Sequence, residues 1–132
     1  MPESRDTAPA YTRINLDELE DAAVPNGFGH RWEAHAARAP LGAQHAGLTH
    51  FRLRAGKRSP FSHRYTQIYV ILQGGGRVKL DEEVFEVRPR DAIRVAPGVA
   101  RACEAGPDGL EFVATGPDHP GDGEQVDDPW VK

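Results

Sequence analysis

The stretch that decides the fold of this 132-residue chain runs from Gln67 to Gly98 and reads QIYVILQGGGRVKLDEEVFEVRPRDAIRVAPG. Its first residues, 67–72, are rich in β-branched and aromatic side chains, which favours a buried strand. Gly74–Gly76 is typical of a turn, and residues 77–87 alternate around a tight connection as a hairpin does. The stretch therefore predicts consecutive antiparallel strands rather than helices.

The same spacing of strands and turns extends to both sides of this stretch. Strands are expected at 31–37, 48–54, 67–72, 77–80, 84–87, 93–95, 99–105 and 110–114. Turns are expected at 74–76, 81–82, 89–91, 97–98 and 107–109, and a loop at 56–60. Pro97-Gly98 suits the two central positions of a type II turn. Short strands at such regular intervals predict an all-β antiparallel sandwich or barrel.

The chain is expected to form one domain, residues 11–132, with its strand-rich core at 47–116. Residues 1–10 are polar and contain two prolines, so we expect a disordered leader. A short helix is expected over Ile14–Ala23, with Asn15 as its N-cap. The end of the chain, after Gly116, is expected to be an acidic tail that Trp130 anchors to the barrel.

The composition argues against several classes of protein. Sixteen Lys and Arg against twenty Asp and Glu give a net charge of −4, a poor match to a nucleic-acid partner. The longest apolar run, Ile68–Leu72, is far too short to cross a membrane. A single cysteine permits no internal disulfide, and the polar N-terminus has no signal-peptide core. A cytoplasmic location follows as the expectation.

Between Gly56 and Gly116 the chain resembles the cupin family. The segment Gly56–Gly74 is similar to the first cupin motif, which carries two histidines and a glutamate, and Arg90–Arg101 is similar to the second, which carries a further histidine. The resemblance implies an antiparallel jelly-roll β-barrel with room for one small ligand. It also implies a homodimer, formed by pairing or exchange of an edge in the N-terminal strand region.

The metal ligands of the family are largely replaced in this chain. His63 stands at one histidine position and Tyr65 at the second; in the other alignment Gln67 takes the glutamate position and Phe61 a histidine position. Arg101 stands where the second motif has its histidine, and a guanidinium is no metal ligand. We therefore expect no metal or other cofactor, with an irregular metal site at His63 and His50 as the alternative.

The residues left at these positions suggest a binding cavity. His63 is the candidate general base and Arg101 the candidate partner of a negative charge, so these two are the predicted catalytic residues. The predicted ligand-binding residues are Tyr65, Gln67, Tyr69, His50 and Cys103. His50 joins them only if Phe51 packs outward, which the alternation leaves open.

Each of these residues also has a purely structural interpretation. His63 is then a former ligand that only hydrogen-bonds a neighbour. Arg101 is an outward side chain paired with Glu104 or Glu111. The tyrosines form a packed aromatic core, and Cys103 is a small buried hydrophobe.

Two further groups are expected on the surface. The basic cluster is interpreted as a solvated strand end and loop, with weak steering of anions as its functional alternative; its members are Arg52, Arg54, Lys57 and Arg58. The remaining histidines lack ligand-like spacing and are His30, His35, His45 and His119.

Three functions remain open from the sequence. The first is binding of a small polar or anionic organic molecule, with metal-independent proton transfer such as isomerisation, cyclisation or elimination. The second is a metal-dependent oxygenase or isomerase with an atypical site. The third is a sensor or binding module without catalysis. In each case the partner is a small molecule, with neither nucleic acid nor membrane.

Overall fold

The computed structural model describes residues 10–25, 27, 29–62 and 67–117; side chains at 60–62 are not included. The expected leader and the expected tail with Trp130 lie outside these residues, apart from their inner ends. No helix in this described part is long and apolar enough to span a membrane.

In the part of the chain that the structure describes, seven antiparallel strands form one sheet. They are β1 Trp32–Ala36, β2 Gly47–Leu53, β3 Arg58–Ser62, β4 Gln67–Leu80, β5 Glu83–Val87, β6 Ala92–Val95 and β7 Ala100–Gly116. The sheet order is β1-β2-β7-β4-β5, while β3 also pairs with β7 and β6 with β4. The helices in the described residues are the 3-10 turn Leu16–Glu18 and the α-helical turn Arg38–Leu41. The all-β prediction is confirmed.

Two expected turns are wrong, because they lie inside the two longest strands. Gly74–Gly76 belongs to β4 and 107–109 belongs to β7. Gly74 has φ +77°, and a Cβ there would meet the carbonyl oxygen of Gly109 on the facing strand. The ladder between β4 and β7 also shifts register twice in this region. The glycines therefore allow β4 and β7 to bend and to approach each other closely, and the chain does not reverse direction at these positions.

Three other expected turns are confirmed by backbone conformation. Asp81, at the tip of the β4–β5 hairpin, has φ 53°, and Arg90, between β5 and β6, has φ 77°. Gly98 has φ 85°, and the N–H of Val99 donates to the carbonyl of Ala96 at 3.4 Å. A left-handed glycine at the third position is what a type II turn requires.

The sequence predicted a loop at 56–60, where the structure has the start of β3. Ser59 of this strand pairs with Cys103 of β7. The sequence does not predict this strand because it contains Pro60, and proline has no N–H to donate to a strand ladder. Among the described strands, β3 pairs only with β7, and an edge strand of this kind tolerates proline.

The N-terminal helix is much shorter than expected. The Asn15 side chain does accept a hydrogen bond from the N–H of Asp17 at 2.9 Å, which confirms it as the N-cap. After that turn, Asp21 accepts from the N–H of Ala34 in β1 at 3.1 Å. The N–H of Ala22 donates to the Ala34 carbonyl at 2.8 Å. Pairing with β1 replaces the remaining turns of the helix.

The core lies on one side of β2. Leu53 is buried in the hydrophobic cluster, and Phe51 packs against it. Since side chains alternate along a strand, His50 and Arg52 lie on the opposite face of the sheet. This settles the question that the sequence left open, and it places His50 outside the barrel.

Candidate functional site

A small cavity lies inside the barrel near the end of the β6–β7 connection. Its described lining is Phe51, Ser59, Tyr69, Arg101, Ala102, Cys103 and Phe112. Strand register brings these residues together, since Phe51 pairs with Phe112 and Ser59 with Cys103. The enclosed space is about 20 Å³, which holds about one water molecule. A larger ligand therefore requires lining side chains to move.

Aromatic rings form one wall of this cavity. The ring centres of Phe51 and Phe112 are 5.1 Å apart and their planes are 24° from parallel. Tyr69 lies 5.8 Å from Phe112 and is tilted by 52°. The Tyr69 hydroxyl donates to Oε1 of Gln67 at 2.9 Å. Gln67 and Tyr69 thus share a face, as their alternation predicts.

Arg101 supplies a buried guanidinium to the cavity. Its exposed fraction is 3%. Nη2 donates to the carbonyls of Ala96 at 2.9 Å and Val99 at 3.0 Å, and Nε also donates to Val99 at 3.1 Å. Backbone carbonyls of the turn thereby hold a charged group inside the barrel. The interpretation of Arg101 as an outward side chain is wrong.

The acids proposed as partners of Arg101 are engaged elsewhere. Glu104 accepts from Arg58 at 2.6 Å and from Arg77 at 2.8 Å. Burial alone would raise the pKa of Glu104, but these two guanidinium groups lower it below its usual range. Glu111 lies on the outer face of the sheet with His50, 2.5 Å away.

Cys103 lies beside Arg101 in the cavity wall as a buried neutral thiol. Its backbone N–H donates to the Ser59 hydroxyl at 3.1 Å. Burial raises the pKa of the Cys103 thiol to about 12. Only the thiolate is a good nucleophile, so Cys103 is suited to packing against a ligand and not to attacking it.

The sequence of this sheet matches a known family. A model of the cupin domain matches residues 49–114, half of the chain. The chain belongs to the cupin domain family. No curated protein sequence matches it.

Solved structures share this cupin's fold. The polyketide cyclase RemF from Streptomyces resistomycificus superposes with a TM-score of 0.71 at 20% identity, over 90% of this chain and 89% of its own. A cupin-2 domain protein from Rhodospirillum rubrum gives 0.65 at 17% identity, over 74% of this chain and 66% of its own. A variant of oxalate decarboxylase from Bacillus subtilis gives 0.68 at 16% identity, over 86% of this chain. This cupin spans only 32% of that decarboxylase.

The described donors of this cupin do not fit the metal site that its family implies. Within residues 10–25, 27, 29–62 and 67–117, no three His, Cys, Asp or Glu side chains lie together as a metal would need. Of the positions that the resemblance matches to the family's metal ligands, those with described side chains hold Gln67 and Arg101. A buried guanidinium repels a cation, and an amide supplies no negative charge. We therefore derive no chemical step through a metal.

Two predicted site residues, His63 and Tyr65, lie outside the described residues. The strand ends on either side of them are described. Ser62 pairs with Ala100, and Gln67 pairs with Val95. The described strand ends Ser62 and Gln67 therefore lie beside the two ends of the β6–β7 connection, and Arg101 follows that connection in β7.

Two histidines, His50 and His35, do not lie where the sequence predicts. His50 is not a cavity residue, because it lies on the outer face. His35 is not on the surface, because only 3% of it is exposed. His30 and His45 are exposed as expected, while His119 lies outside the described residues. The signal that joins His35 to His50 is their cross-strand pairing, which a single sequence does not display.

Three members of the basic cluster bind neighbouring groups. Arg52 donates to Asp17 at 2.6 Å, and the hydrogen bond and charge of Arg52 lower the pKa of that carboxyl. Arg58 is bound to Glu104 as described above. Nε of Arg54 donates to the Gly29 carbonyl at 3.0 Å. These contacts favour the solvated structural role over the steering of anions.

Proposed function

We propose that this cupin binds a small organic anion with an aromatic part and catalyses proton transfer within it, without a metal. The observation that carries the proposal is the buried guanidinium of Arg101 beside the rings of Phe51, Tyr69 and Phe112. A guanidinium binds a carboxylate or an enolate strongly where water is excluded. The adjacent rings offer a surface on which a flat ligand stacks.

The reaction that suits these groups begins with abstraction of a proton next to a carbonyl. The base assigned to it is His63, whose ordinary pKa lies near neutrality. The C–H electron pair moves onto the carbonyl, and Arg101 stabilises the enolate oxygen. The protonated base then returns the proton to that oxygen or to another carbon. Isomerisation, cyclisation and elimination all start with this step.

Two observations support this choice among reactions. The Cys103 thiol in the cavity wall is neutral because burial raises its pKa, which favours proton transfer over covalent catalysis by this cysteine. RemF, similar over nearly its whole length, is a polyketide cyclase by name, and cyclisation of a polyketide also begins at an enolate. The amide of Gln67, next to Tyr69, is the group assigned to orient the ligand.

Phenylpyruvate is a probe that carries all three features: an aromatic ring, a carboxylate and an acidic C–H next to a carbonyl. We expect it to shift the NMR signals of Phe51 and Tyr69 and to exchange its benzylic protons with D2O faster than in buffer. Arg101→Gln should abolish binding, and the exposed Arg94→Gln should not. His63→Ala should keep binding and lose exchange.

Each outcome of this experiment decides a part of the proposal. Equal binding of phenylpyruvate to Arg101→Gln and to the wild type would overturn the anion site. Unchanged proton exchange in His63→Ala would overturn the assignment of the base. If phenylpyruvate neither binds nor exchanges at millimolar concentration, the aromatic anion is the wrong ligand class.

We also propose that this cupin forms a homodimer. β1 is an edge of the sheet, and Ile68 and Leu72 are 44% and 41% exposed on the outside of β4. Exposed apolar side chains on a sheet favour association. Light scattering should give the mass of a dimer, and Ile68→Ser should weaken it more than Val84→Ser on the hairpin. A monomer at every concentration would overturn this proposal.

A further inference from the structure

Two buried histidines face each other on the outer side of the sheet. His35 of β1 and His50 of β2 are register partners, with 3% and 2% of their surface exposed. Their Nδ1 atoms are 3.0 Å apart. Their ring centres are 5.2 Å apart and their planes differ by 17°. The centre distance exceeds the nitrogen distance by nearly two ring radii, so the two nitrogens point almost straight at each other.

This geometry fits a shared proton and not a bridging metal. A metal in line between two imidazole nitrogens would hold them about 4 Å apart, because each metal–nitrogen bond is about 2.0 Å. The observed 3.0 Å is the ordinary length of a hydrogen bond from N–H. One proton therefore lies between the two rings.

A carboxylate fixes which ring donates that proton. Nε2 of His50 lies 2.5 Å from Oε2 of Glu111. An ionised carboxylate only accepts hydrogen bonds, so the proton of a neutral His50 ring is on Nε2. Its Nδ1 then carries a lone pair and accepts from Nδ1–H of His35. The remaining nitrogen, Nε2 of His35, faces Oε1 of Glu33 at 3.9 Å.

The charged groups around the pair come from every element packed against it. Nε of Arg52 lies 3.3 Å from Glu111, and its Nη1 lies 3.9 Å from Glu33. Nη2 of Arg52 donates to Asp17 of the 3-10 turn at 2.6 Å. Three carboxylates and one guanidinium thus surround the rings. Through Arg52, the pair is connected to the N-terminal segment that lies against the sheet.

The number of protons that this arrangement accepts is limited. A first added proton has a place at Nε2 of His35, facing Glu33. A second would put N–H bonds on both Nδ1 atoms, leaving about 1 Å between the two hydrogens at the observed separation. We propose that the His35–His50 pair is an acid-sensitive latch: it holds one added proton, and a second one forces β1 away from β2.

The latch is tested by urea unfolding of the full chain between pH 8 and pH 5. Below about pH 6.5 the unfolded chain binds two protons on these rings and the folded chain at most one. Below that pH, the pair should therefore raise the equilibrium constant of unfolding about tenfold for each unit by which the pH falls. His35→Asn replaces one ring with an amide that donates to His50 or, rotated, accepts from it. This tenfold contribution should then disappear.

His45→Asn is the matched control, because it removes an exposed histidine and should keep the pH dependence of the wild type. Equal pH dependence in His35→Asn and His45→Asn would overturn the latch.

Histidine ¹⁵N NMR of the wild type tests the same proposal if His35→Asn does not fold. At pH 8 the two rings should be opposite tautomers, with hydrogen on Nδ1 of His35 and on Nε2 of His50. Coupling should be visible across the Nδ1–H···Nδ1 hydrogen bond. Identical tautomers, or two fully protonated rings in a folded protein at pH 5, would overturn it.

Discussion

Arg101 binds the carbonyl oxygen of Ala96 from inside the barrel, at 2.9 Å from Nη2. This hydrogen bond ties the Pro97-Gly98 turn to the cavity wall. The same side chain is the proposed anion partner. The turn and the proposed binding of an anion therefore involve the same guanidinium, so stability and binding are measured separately.

Arg101→Gln is expected to lower the free energy of unfolding by about 1–3 kcal/mol, because the carbonyls of Ala96 and Val99 lose a buried, charged donor. Urea unfolding measures this. Arg94→Gln is the control, since Arg94 is exposed and surface substitutions usually change stability by less than about 0.5 kcal/mol. Equal stabilities of the two variants would show that the turn does not depend on Arg101.

Gly74→Ala is expected to cost more than about 4 kcal/mol or to prevent folding. The added Cβ would collide with the backbone carbonyl of Gly109, and φ +77° is also unfavourable for alanine. Gly56→Ala is a matched control, because Gly56 has φ +72° with nothing within 4 Å of the added carbon. It should cost about 1–2 kcal/mol, the penalty of the left-handed conformation alone. Similar losses in both variants would contradict the close approach of β4 and β7.

Cys103 should react with a thiol reagent such as Ellman's reagent only after unfolding. Its pKa is raised to about 12 by burial, so the folded chain keeps the proton at pH values where the unfolded chain loses it. Stability should therefore fall as pH rises from about 9 to 12. Cys103→Ala should lack this part of the alkaline loss. Rapid labelling of the folded protein at pH 8 would contradict the burial of the thiol.

Glu104 should contribute to stability above its unfolded pKa and lose that contribution in acid. Hydrogen bonds from Arg58 and Arg77 hold the pKa of Glu104 low despite its burial. Since the folded pKa is the lower one, the contribution declines as pH falls below about 4.5 through the folded value. Glu104→Gln should cost about 1 kcal/mol at pH 7, reduced by the exposure of both arginines. It should also flatten the acid side of the stability profile. A profile identical to the wild type would contradict this.

Much of the fold follows from local patterns in the sequence. Alternation locates most strands, and the turns at Asp81, Arg90 and Gly98 lie where turn-forming residues cluster. The glycines at 74–76 show the limit of this approach. Glycine permits both a reversal and a bent strand, and the choice depends on Gly109, which faces Gly74 only after folding.

The candidate site was predictable only in part. Motif spacing identified Gln67, Tyr69 and Arg101 as candidates. Tyr69 and Arg101 line the cavity, and Gln67 accepts a hydrogen bond from the Tyr69 hydroxyl. Alternation set His50 opposite Phe51, but which of them lies inside depends on packing. The contact between His35 and His50 arises from strand register, which a single sequence does not contain.

The long pairing of β4 with β7 also bears on how fast the chain folds. It joins Ile68 to Thr115 and Leu80 to Arg101, residues that are distant in sequence. Such pairs lose chain entropy before their contacts form, and folds built on them reach the native state in milliseconds to seconds. Until that ladder closes, β1, β2 and β3 have no completed sheet to join. Newly made chains therefore spend that interval with open strand edges, the period in which they are most exposed to aggregation.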